Sequence, residues 1–413
     1  MDSNPETRRS LITLLVGVAA FVALLTWWVG WALPLVIFAI IFIVMAHEFG
    51  HFITAKRAGM KVTDFFVGFG PVIWSTTIGE TRYGVRAILA GGYVKVPGMT
   101  WTETIPEEDE KRTYRSASYP KKALFASAGS LMHLVMALLL AWTAITFVGL
   151  PSTNHIGVGD FTKWQGQKEN AAQLAGMKVG DQIVSINGTA ITSDNQLIKV
   201  VSRDTGKNLT ILIRRAGRDL TLHATPVNGA SIKVDGKALA KHGFLGVGIE
   251  NLRARDSWYA AIPGSVTEVG SLIGTAAAAI VHVFSPGEFS SLFHQVASPA
   301  AALNPKNADT RPYSIVGVVR VAVQSTNQNG VGQLLLILMA VNVFVGMLNM
   351  IPMLPLDGGY VAIATYERLR SRRGERYHAD VNKLAPVIYA FMGVLLVLFA
   401  CTLFLDIAHP VPF

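Results

Sequence analysis

The sequence predicts a polytopic α-helical membrane protein with about five spans, a membrane-associated β segment and one β-rich domain carried between helices. Three observations predict it. Apolar runs over roughly 11–33, 34–55, 123–149, 333–351 and 384–407 are each long enough to cross an apolar layer about 30 Å thick. All 36 Lys and Arg residues fall outside those runs. Between the third and fourth runs, short alternating apolar segments punctuated by glycine take over, which is the period of strands. The chain is 51% hydrophobic and only 15% charged, a composition that supports a membrane protein.

The first two runs are continuous over about 45 residues, which as one helix would reach roughly 67 Å, too long for one crossing. The sequence Gly30-Trp31-Ala32-Leu33-Pro34 supplies a break and an interfacial tryptophan, so a tight helical hairpin is expected there. An uncleaved signal-anchor is the alternative for 11–33. After the second run, Val62, Phe65, Phe66, Val67 and Phe69 with Gly68 and Gly70 read as strand and turn, and Gly91-Gly92-Tyr93-Val94-Lys95-Val96 as a second strand. The acidic run Glu107-Glu108-Asp109-Glu110 reads as a solvated loop. Beyond the third run, Ile183, Val184 and Ile186 form a strand ending at the Asn187-Gly188 turn. Leu209, Ile211 and Ile213 alternate in another, and Gly246-Val247-Gly248-Ile249 closes the unit. Residues 256–284 are apolar but contain Glu268, His282 and the small run Ala276 to Ala279, and read as a surface or interfacial helix.

Basic clusters give the orientation. Arg8 and Arg9, then Lys56, Arg57 and Lys61, then Lys121 and Lys122, then Arg368, Arg370, Arg372, Arg373 and Arg376 all fall on one side when the spans are counted alternately. The positive-inside rule makes that side the cytoplasm, with the N-terminus inside, the C-terminus outside and 150–331 exported. The net charge of +9 then reports topology and contact with anionic lipid; no motif supports nucleic-acid binding. The single cysteine, Cys401, lies in the last run, so the exported region relies on its core alone.

Chemistry sits in the second run. His47-Glu48-Phe49-Gly50-His51 is H-E-x-x-H, which on a helix turns two imidazoles to one face and sets a carboxylate beside them as a proton acceptor. Ionisable groups in an apolar span are costly unless paired, metal-bound or wetted. The fourth run ends in Asn349-Met350-Ile351-Pro352-Met353-Leu354-Pro355-Leu356-Asp357-Gly358-Gly359 and reaches the same depth. Catalytic zinc takes three protein ligands and keeps one open position, so one Zn2+ per chain is expected on His47, His51 and Asp357, with Glu48 as base.

These paired motifs, His-Glu-x-x-His on one span and Asn-x-x-Pro-x-x-x-Leu-Asp-Gly on a later one, resemble those of the site-2 proteases, zinc-dependent intramembrane endopeptidases. The likeness covers roughly 34–407. It implies an extra N-terminal tail and helix at 1–33, a first catalytic helix at 34–55, and a cytoplasmic β segment at 56–122. A helix at 123–149, an exported PDZ domain at 150–252 and an exported linker at 253–331 follow. The second catalytic helix with its motif is 332–365, a basic cytoplasmic loop 366–383 and a C-terminal helix 384–413. A three-helix catalytic core with added terminal helices, in the cell's cytoplasmic membrane, is thus implied. The resemblance also implies that Asn349 lies by the substrate carbonyl and that the edge formed by Gly92, Tyr93 and Val94 pairs with an unwound substrate. The implied partners are membrane-anchored proteins with a transmembrane helix, such as anti-sigma factors or signal-peptide remnants, and the lipid bilayer. The chain departs from the family at Ser130 and His133, where Gly-Pro-x-x-Asn is usual; a packing histidine is expected there. Tyr360 replaces a common histidine that is not a ligand.

Overall fold

The structure is a computed structural model that describes residues 5–99, 103–162, 169–234, 237–238, 241–255, 257–304, 307, 311–371 and 377–410. Arg372, Arg373 and Arg376 of the basic clusters lie outside them, as do the side chains of Arg8 and Arg9. The chain divides into two compact units, residues 1–141 with 265–413, and residues 142–264.

The first unit is built on long apolar helices. Helix α1 spans Pro5–Val29 and α2 spans Ala32–Arg57. The break falls at Gly30, whose φ of +94° suits glycine, and not at Pro34, which sits inside the first turn of α2 where its missing N–H costs nothing. Helix α3 is Tyr119–Thr143, α4 Ala261–Val283, α5 Pro286–Ala297, α6 Ile315–Asn329, α7 Val331–Asn349, α8 Asp357–Arg370 and α9 Ala385–Ala408. Among the described residues, five helical stretches are long and apolar enough to cross a membrane: α2, α3 with its continuation to Val148, α4, α7 and α9.

Within the stretch read as a surface or interfacial helix, residues 261–283 form helix α4, which is long and apolar enough to cross a membrane. It is 23 residues long, and Val269 and Ala276 are buried in one cluster with Ala137 and Ala141 of α3 and Met339 and Val343 of α7. The small residues that suggested too little bulk allow helices to approach closely. Polar clamps close the far end. Asp406 of α9 accepts from Arg311 at 3.2 Å and from the Ser314 N–H at 2.7 Å, and Arg320 of α6 donates to the Asp406 carbonyl.

A long hairpin follows α2. Strand β1 is Asp64–Ile78 and β2 is Thr81–Lys95. Gly68 and Gly70, read as a turn, instead lie within β1 at positive φ, and the reversal is at Gly79-Glu80. Residues 64–67 pair twice, with 82–85 and again with 92–95, because β2 folds back across β1. The last four residues of β2 therefore form an outer edge.

The second unit is β-rich. Strands β3 (Leu150–Phe161), β4 (Gln182–Ile186), β5 (Leu209–Arg215), β6 (Arg218–Ala224) and β7 (Val247–Ala254) run in the spatial order β7-β3-β4-β5-β6, with antiparallel neighbours. The alternation read from the sequence places Leu209, Ile211 and Ile213 in the core with Ile183, Ile186 and Leu197. Asn187 and Gly188 take the positive φ that their turn requires.

Candidate metal centre

Helix α2 carries the first half of the site. His47 and His51 sit one turn apart, with Nε2 atoms 3.3 Å from each other. Their rings meet edge to face at 4.9 Å. The helix can bring them against α3 because two contact positions there lack side chains. A Cβ on Gly50 would stand 2.6 Å from the Ala128 carbonyl oxygen, and a Cβ on Gly129 would collide with the His47 ring. His51 is fixed from behind by its Nδ1, 2.8 Å from the Phe125 carbonyl. That carbonyl only accepts, so Nδ1 carries the proton and Nε2 presents a lone pair.

Asp357 comes from a different element. It is the first residue of α8, behind the bend of 350–356 that ends α7. Gly359 lets α8 start close to that bend: a Cβ there would stand 2.5 Å from the Leu354 backbone nitrogen. The Asp357 Oδ2 lies 3.6 Å from His47 Nε2 and 3.3 Å from His51 Nε2, and is buried with no hydrogen-bond donor.

The expected ligands thus meet. One donor atom from each of His47, His51 and Asp357 lies within 4.8 Å of the others, the one such group with metal-holding geometry among the described residues. A carboxylate oxygen and two ring nitrogens, His51's fixed as an acceptor, converge without a donor to separate them. Such a set repels itself unless a cation sits among it, and two imidazoles with one carboxylate suit zinc.

Glu48 projects from the same turn of α2 towards β2. The Val94 backbone N–H lies beside its carboxylate. A Cβ on Gly92 would stand 3.0 Å from Glu48 Cγ and 3.1 Å from Met45 Sδ. Of the three edge residues expected at the site, Gly92 and Val94 reach Glu48 by their backbone. The Tyr93 side chain does not: it stacks on Phe66 at 5.7 Å, and its hydroxyl accepts from Arg86 at 2.8 Å. Asn349 is the last residue of α7, half-buried and outside the ligand set.

The sequence reading missed Asn342. This residue is fully buried in α7, where its Nδ2 donates to the Leu338 carbonyl at 2.8 Å and its Oδ1 accepts from His133 Nδ1 at 2.9 Å. The His133 ring centroid is 5.0 Å from that of His47. Gly346 makes room for it, since a Cβ there would be 2.9 Å from the His133 Cβ. The available signal was the seven-residue spacing of Asn342 and Asn349 on one apolar helix.

The match to known proteins covers nearly the whole chain. The model of the family described as peptidase family M50 matches residues 35–396. The zinc metalloprotease Rip1 of Mycobacterium tuberculosis is 29% identical over 402 residues, 90% of this chain and 96% of the relative. Rip1 of Mycolicibacterium smegmatis is 28% identical over 408 residues, 92% of this chain and 98% of the relative.

Proposed function

The chain belongs to peptidase family M50 and is a zinc metalloprotease, and from that premise we propose that it hydrolyses a peptide bond within or beside the transmembrane helix of single-span membrane proteins. One observation carries this reading: the convergence of His47, His51 and Asp357 from separate helices, beside Glu48, inside a bundle of membrane-length helices.

In this reading His47, His51 and Asp357 hold the zinc, which when bound supplies Lewis-acid polarisation and makes water a nucleophile near neutral pH. Glu48 accepts the proton of the attacking water and returns it to the leaving amine. Asn349 assists the substrate carbonyl from the end of α7. A substrate helix buries its own amides and must unwind before it can be cut. The backbone of Gly92 to Val94, on the outer edge of β2, offers replacement partners so that no bare amide faces lipid. The Val94 N–H that now contacts Glu48 marks how close such a strand would run to the base.

The same reading places the chain in the cytoplasmic membrane as a multi-pass protein, N-terminus inside, with 150–252 as an exported PDZ domain. The antiparallel sheet and helix Asp194–Arg203 of the second unit support a PDZ-like fold. The test incubates purified wild type and Glu48→Gln with a panel of single-span proteins in detergent, with and without a chelator, and maps the cut sites. Cleavage by the wild type alone, lost with the chelator, is expected. Equal cleavage by Glu48→Gln would remove the base assignment, and cuts confined to soluble loops would remove the intramembrane one.

A further inference from the structure

Helix α8 leads from Asp357 to a second polar site. Glu367 lies ten residues along it, about 15 Å away at 1.5 Å per residue. There a cavity of about 520 Å³ opens between the start of α3 and the end of α8, lined by Arg115, Ser118, Lys122, Glu367, Arg368 and His378 among others. Its charge balance is uneven. Glu367 is the single carboxylate in the lining, against three permanent cations.

That carboxylate is already committed. Lys122 Nζ donates to it at 2.9 Å and the Ala379 N–H at 3.1 Å, and both Lys122 and Glu367 are more than nine-tenths buried. Arg115 is held by Glu110 from outside the cavity, at 2.8 and 2.5 Å. Arg368 has no carboxylate partner among the described residues. The first turn of α3 adds polarity of the same sign: Ser118, Tyr119 and Pro120 line the cavity where the helix begins, and unpaired N–H groups gather at such an end. Among the described residues the cavity is therefore rich in donors and positive charge and offers no free acceptor charge.

Its depth supplies the source of an anion. Helix α3 is of membrane length and runs without a charged residue from Ala123 onward, so its first turn, with Lys121 and Lys122, marks the edge of the apolar layer, where lipid phosphates lie. We propose that this cavity binds the phosphate group of an anionic phospholipid from the membrane face. Arg368 is the principal contact, and Lys122 and the start of α3 contribute from the buried side.

The experiment uses the full chain purified in a neutral detergent. Binding of short-chain phosphatidylglycerol, short-chain phosphatidylcholine and inorganic phosphate is measured for the wild type, Arg368→Glu and Arg370→Glu. Arg370 carries the same charge on the same helix but is not itself in the lining; it stacks on Tyr366 and, from outside, on the lining residue Tyr377. Phosphatidylglycerol is expected to bind more tightly than phosphatidylcholine, to weaken at least about tenfold in Arg368→Glu, and to change little in Arg370→Glu. Retention of inorganic phosphate as tight as that of phosphatidylglycerol, lost in Arg368→Glu, would support the phosphate chemistry but overturn the lipid source. An equal loss in both variants, or none in Arg368→Glu, would overturn the site.

Discussion

Gly129→Ala is the smallest change that tests whether the α2–α3 contact sets the metal geometry. The added Cβ would stand 2.5 Å from His47 Nδ1 and 2.6 Å from Nε2, where ordinary contact begins near 3.4 Å. The ring carbon Cε1 lies closer still, so the imidazole would have to retreat by more than about 1 Å, several times the roughly 0.2 Å that metal–ligand distances tolerate. A displaced ligand should weaken zinc binding by about 10- to 100-fold and lower cleavage by about 100-fold. Local helix energetics point the other way, because alanine is favoured over glycine in a helix by about 1 kcal/mol. Helical content and unfolding midpoint of the zinc-free protein should therefore hold while zinc is lost. Competition with a graded chelator measures the affinity, and circular dichroism the fold. Wild-type zinc affinity in Gly129→Ala would refute the claim that this contact positions His47.

The other outcomes concern the groups around the site. Lys122→Met leaves Glu367 buried and uncompensated and should cost about 3–5 kcal/mol in denaturant unfolding, most of it regained in Lys122→Met/Glu367→Leu; a milder single variant would mean that water reaches the pair. Asn342→Leu strips His133 Nδ1 of its acceptor and should cost about 1–3 kcal/mol, whereas His133→Phe/Asn342→Leu should cost less than the sum of its singles; strict additivity would deny the coupling. At the hairpin tip, Arg112 and then Lys56 hold the Glu80 carboxyl down at about 2, below its ordinary value. That contribution is present above the ordinary carboxylate range near 4.5 and fades as the pH falls towards 2. The protection of amides at residues 78–82, measured relative to their intrinsic exchange rates, should then fall between about pH 4.5 and 2 in the wild type but not in Glu80→Gln; the same acid response in both would assign it to other groups.

The convergence of His47, His51 and Asp357 was legible because ionisable residues in apolar helices have few cheap explanations, and these three stood at matching depths. Asn342 was not, because one buried amide in an apolar helix serves equally as a bridge between helices. The packing of α4 was not legible from Ala276 to Ala279, whose small size reads as weak anchoring in isolation and as close packing once α3 and α7 are present. The extent of β1 and β2 was hidden by Gly68 and Gly70, which mark irregular register within a strand as readily as a turn. That the Tyr93 side chain packs on Phe66 was not legible, because the face of each side chain depends on a partner strand that the local sequence does not name.

Gly92 has a last consequence. Where it passes Glu48 no side chain fits, so only bare main chain faces the acid there. Main-chain atoms are common to all twenty amino acids and cannot distinguish one residue from the next. A protease that grips its substrate at such a point would choose by how readily a helix comes apart, so glycine, proline or polar residues near the cut would govern turnover more than any consensus of letters.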